Sequence, residues 1–133
     1  MSWVANVLLV VSVAERESLV RDFSDWLATD APWNEPSAPA GATGVGSLES
    51  LAGENVRWGG AKYPECRVWG GVLNHADLDS VVQRFGAIPW ASPGSVQLLV
   101  MDQEQTYFRL WMIRDGRPQQ CAPMPDPGDE WSA

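Results

Sequence analysis

One histidine, one lysine and two cysteines in 133 residues are a thin supply of metal-binding and nucleophilic chemistry. His75 cannot build a histidine-based metal centre without recruiting carboxylates or thiols. Cys66 and Cys121 stand far apart and match no metal-ligand spacing. Each cysteine reads as a buried reduced thiol; a disulfide stays open, although a chain of this size does not need one. No metal and no other cofactor is expected. Long apolar runs are also missing. The longest, Val7–Val11, has the length of a strand and not of a membrane span. The N-terminus shows no basic stretch followed by an apolar region and a small-residue cleavage site. The expected compartment is therefore the cytoplasm, with no membrane partner. A Gly-x-Ser-x-Gly elbow, a Walker loop and a zinc-protease motif are all missing. No catalytic residue is assigned, and enzymatic activity is the less favoured reading.

What the chain does have is acid, tryptophan and enough apolar residues for a core. Apolar residues make up 45% of the sequence, which rules against wholesale disorder, and the length fits one domain. The net charge of -8 repels phosphate backbones, so no nucleic-acid partner is expected; it attracts a basic partner. The eight tryptophans are too many for a small core to enclose, because each is large and its indole N–H needs an acceptor. Several are expected to lie half exposed, where aromatic side chains favour interfaces.

Periodicity lays out an α+β chain. Residues 3–13 alternate as a strand with apolar side chains on both faces, suited to the interior of a sheet. Ser12 and Glu15 have capping-box spacing, which predicts a helix over 14–28 with Leu19, Phe23 and Leu27 on its buried side. Residues 31–46 are rich in Pro, Ala and Gly and read as a loop. Residues 47–51 read as one helical turn and 55–58 as a short strand. Residues 66–73 form the next strand, with Gly70-Gly71 marking a bulge or a close backbone approach. Asn74 as cap predicts a helix over 75–85, with Leu78, Val82 and Phe85 buried and Gly86 closing it. Residues 96–101 and 106–113 form a hairpin. Asp115-Gly116 turns the chain again, and 119–122 adds an edge strand. The order implies a mostly antiparallel sheet with two helices on one face, a ferredoxin-like (split βαβ) plan with an added C-terminal hairpin. Without a strand at 55–58 that plan fails and the α+β class survives. The domain spans 1–125, and 126–133 form an acidic tail.

Three places hold candidate chemistry. His75, Asp77 and Asp79 crowd a helix start, where carboxylates sit for the helix dipole more often than for metal or catalysis. Asp102, Gln103 and Glu104 sit at a hairpin tip, where acids are common for solvation alone and Asp102 is suited to bond its own turn. Residues 58–65, with Trp58, Lys62, Tyr63 and Glu65 around two glycines, form a loop able to approach a partner closely. Along the hairpin's second strand, Tyr107, Arg109 and Trp111 share one side and Phe108, Leu110 and Met112 the other. The apolar set is expected to face the helices, which leaves the Tyr/Arg/Trp set on the open face.

The stretches 58–65, Asn74-His75, 96–104 and 107–112 resemble a group of uncharacterised small actinobacterial proteins, over about half of the chain. That resemblance implies no catalytic residue. In its acidic, aromatic character the chain is also similar to immunity proteins that neutralise toxin enzymes. Two functions remain in play. One is a protein-binding module, an immunity-type inhibitor occluding a basic toxin domain through Trp58, Tyr63, Glu65, Tyr107, Arg109 and Trp111. The other is a ferredoxin-like homodimer holding a small aromatic molecule, a cofactor-free enzyme at most, with Asn74 and His75 lining a pocket between sheet and helices.

Overall fold

The computed structural model describes residues 4–34, 38–52 and 64–121. Its centre is β1 (Val4–Ser12), whose aliphatic residues are buried alternately: Ala5, Val7, Leu9 and Val11 face the core. β1 pairs antiparallel with β3 (Cys66–Asn74) on one side and β4 (Gln97–Asp102) on the other. β2 (Glu49–Ser50) forms the edge beyond β3. β5 (Arg109–Arg114) and β6 (Arg117–Cys121) extend the sheet beyond β4, giving the order β2-β3-β1-β4-β5-β6 with all neighbours antiparallel. The protein is thus α+β, as its periodicity predicts. β3 lies between β1 and β2, so the connection through the first helix skips one strand. The expected strand at 55–58 lies outside the described residues, and Glu49–Ser50 occupies the edge beside β3.

The two helices, α1 (Glu17–Thr29) and α2 (Leu78–Ala87), cover the Ala5/Val7/Leu9/Val11 face. Val20, Phe23 and Leu27 of α1 and Val81, Val82 and Phe85 of α2 are buried there; Leu19 and Leu78 pack at the margin, partly buried. The anticipated caps are corrected. Ser12 ends β1, and its Oγ accepts the Ala14 N–H at 3.1 Å inside a tight turn. The Glu15 carboxylate, 8% exposed, instead accepts the N–H groups of Ala91 (2.7 Å) and Ser92 (3.2 Å), clasping the start of α1 to the loop after α2. That long-range tie has no signature in local spacing. Asn74 ends β3 rather than capping α2, and His75 follows in the left-handed region with φ 64°. The helix then starts behind Asp77, whose carboxylate accepts the Ser80 hydroxyl at 3.1 Å.

Two glycines mark close approaches. At Gly71 a Cβ would strike the carbonyl oxygen of Ser47, so the missing side chain lets the chain pass against β3 and Glu49–Ser50 pair with it, where a helical turn was expected. β1 and β3 stay in continuous register through Gly70-Gly71, so the pair marks an approach and no bulge. Gly86 lies inside α2 rather than closing it; a Cβ there would meet Pro118 of β6 at 2.5 Å. The loop over 38–48 is held in place: Ser24 Oγ accepts the Leu48 N–H (2.8 Å) and donates to the Leu48 carbonyl (3.2 Å). Trp33 Nε1 donates to the Gly44 carbonyl at 2.8 Å, and Val45 and Leu48 enter the core. Asp115-Gly116 makes the β5–β6 turn with positive φ at both residues (53° and 74°), as that dipeptide predicts.

Candidate functional site

Pairing register decides which side chains meet on each face. Leu98 of β4, buried on the helix side, opposes Trp111, and Val100 opposes Arg109. Arg109, Trp111 and Ile113 therefore belong to the helix-covered face, the reverse of the expected placement. Leu110 and Met112 are turned to the uncovered side. The reason is that β5 lies beyond β4 at the margin of the helix layer, where a half-buried Arg or Trp is tolerated.

The uncovered face is apolar in register. One row runs Gly70, Leu8, Leu99, Leu110, Cys121 and the next Val68, Val10, Gln97, Met112, Gln119, with Val72, Asn6 and Met101 alongside. Among the described residues no helix packs on this face, and most of these side chains keep partial exposure, Val72 being 57% exposed. Charge from the described residues enters this face only at its margins, from Glu49 on β2 and from Arg114 and Arg117 across the β5–β6 hairpin.

On the helix side, where α2 leaves β4 and β5 uncovered, a cleft of about 180 Å³ opens. Leu78, Asp79 and Val82 of α2 form one wall; Val100, Asp102, Gln105, Arg109 and Trp111 form the floor and the other wall. Asp102 Oδ1 accepts the Glu104 N–H at 3.0 Å, so this carboxylate also fixes the turn after β4, as expected of it. The Arg109 guanidinium lies 6.0 Å from the centre of the Tyr107 ring, and its Nε is buried with no acceptor. Among the described residues it pairs with neither Asp79 nor Asp102, although all three line the same cleft.

The remaining candidates are dispersed. Trp58, Lys62 and Tyr63 lie outside the described residues. Glu65 is exposed just before β3, at the end of the sheet where Cys66 pairs with Ser12. Tyr107, 49% exposed, precedes β5 at the opposite end, where Ala5 pairs with Asp102. Asn74 is exposed, its N–H bonded to the Val45 carbonyl at 2.8 Å. His75 stacks on Trp33 with ring centres 4.7 Å apart, and neither Asn74 nor His75 lines the cleft beside α2. Among the described residues, no three His, Cys, Asp or Glu side chains converge in a way that could hold a metal ion. None of their helices is long and apolar enough to cross a membrane. The sequence reading missed Leu8 and Leu99 as surface-forming residues, and it placed Asp79 beside His75 rather than in the cleft. Periodicity had signalled apolar residues on both sides of β1, and that signal carries the uncovered face. No family model, curated protein or solved structure matches the chain.

Proposed function

We propose that the protein is a protein-binding module whose contact surface is the uncovered face of the sheet, in the manner of an immunity-type inhibitor that occludes a basic partner domain. The observation that carries this reading is the Gly70–Leu8–Leu99–Leu110–Cys121 row and its neighbours, an apolar patch across five strands. Apolar surface supplies the affinity, and the surplus of -8 supplies the steering. The charge also selects the occupant. Two copies of this chain repel one another at long range, whereas a positively charged domain bearing an apolar patch is drawn in.

The test is capture of the partner from the native host, followed by binding kinetics with the purified pair. The reading requires a basic partner, an association rate that falls as salt rises, and loss of binding in Leu99→Arg, which places a charge at the centre of the patch. An acidic partner, full binding by a folded Leu99→Arg protein, or self-association through this face in light scattering would overturn it. The residues first favoured from sequence enter as rim candidates: Glu65 and Tyr107 lie at opposite ends of the sheet, and Arg109 and Trp111 belong to the cleft.

A further inference from the structure

We infer that the cleft between α2 and strands β4 and β5 is a binding site for a small zwitterion, a free α-amino acid with an apolar side chain. This site is independent of the sheet face, because it opens on the other side of the sheet. Three features converge on that chemistry. Charges of both signs line one space without neutralising each other: Arg109 on β5, and Asp79 and Asp102 from α2 and β4. The Arg109 Nε is buried without an acceptor, so the fold leaves this guanidinium's hydrogen-bonding capacity unspent. Val82, Val100 and the Trp111 side chain line the same space and suit a hydrocarbon or aromatic side chain.

The chemistry of the walls fixes the orientation. A ligand carboxylate meets the Arg109 guanidinium, whose planar fork matches it. The ligand ammonium meets Asp79 and Asp102, and the side chain lies against Val82 and Trp111. Size narrows the class further. A space of about 180 Å³ is below the usual range for nucleotides and larger cofactors, about 300–1,000 Å³. It is ample for one amino acid.

The test is isothermal titration calorimetry on the full chain with three matched probes: L-leucine, L-leucinamide without the carboxylate, and 4-methylpentanoate without the ammonium. Saturable binding of L-leucine is expected, with each truncated probe at least about tenfold weaker. Arg109→Gln should weaken L-leucine at least about tenfold and leave L-leucinamide unchanged. Asp79→Asn should weaken L-leucine and leave 4-methylpentanoate unchanged. Circular dichroism melting establishes that each variant is folded, and the three probes on the unmodified protein decide the matter if a variant is not. No saturable binding of L-leucine, or equal binding of all three probes, would overturn the inference.

Discussion

Ser24 is one of the few buried polar side chains, and it holds both backbone groups of Leu48. Replacing it by alanine leaves that N–H and C=O without partners in the interior. Ser24→Ala should therefore destabilise the protein by about 1–3 kcal/mol in urea unfolding, although the change is small in volume. Phe23, 1% exposed, tests packing instead. Phe23→Ala should cost about 3–5 kcal/mol, because the sheet on one side and α2 on the other limit collapse into the cavity. A loss under 1 kcal/mol would mean that the α1 stripe is not core. Phe23 was legible from spacing alone, as were Leu27, Val82 and Phe85. Spacing puts Ser24 on the same stripe, four residues after Val20, but its partner was not legible, since Leu48 lies 24 residues along the chain.

At the level of elements, apolar period and turn chemistry located most pieces and misplaced their joints. β1, α1, β3, α2 and the C-terminal hairpin appear where alternation and amphipathic spacing put them, and the Asp115-Gly116 turn follows from its φ requirement. The caps failed for two reasons: the Glu15 carboxylate is engaged by a distant loop, and Asn74 is held in β3, paired with Val4, four residues before α2 begins. Glu15 accepts the N–H groups of Ala91 and Ser92. Local spacing describes an isolated helix end, and here tertiary partners compete with it. Gly71 tests the junction of β2 and β3. Gly71→Ala should separate 47–50 from β3 and lower the unfolding midpoint. Gly116→Ala should cost only about 1–2 kcal/mol, since its Cβ meets open space and only the positive φ resists it. Equal losses at the two positions would contradict the close approach at Gly71.

For the whole molecule, charge and apolar surface act at different ranges. Acidic side chains exposed on α1, such as Asp22 and Asp25, lie on the helix side, away from the apolar sheet face. Screening over about 8 Å at physiological salt keeps them out of the closed contact, whereas at low salt, with a screening length of about 30 Å at 0.01 M, their field reaches an approaching partner. With the partner in hand, Asp22→Asn with Asp25→Asn should slow association and leave dissociation unchanged. Leu110→Ala should accelerate dissociation with little effect on association. Stopped-flow kinetics at two salt concentrations separates the two effects, and a reversal of this pattern would place the contact on α1 instead of the sheet.

Composition and periodicity by themselves determined the α+β class, the apolar stripes of both helices, the final hairpin and the acidic surplus. Each of these is a property of neighbours along the chain, fixed by backbone geometry that repeats every two or 3.6 residues. Which face of β5 looks outward was not determined there. Its alternation offers two sets, Arg109 and Trp111 or Leu110 and Met112, and both contain apolar atoms. Only pairing to β4 in one register, with Val100 opposite Arg109, turned the leucine set outward and placed the arginine beside Asp79. A shift of one residue would have exchanged the two faces, and that choice rests on contacts between residues far apart in sequence.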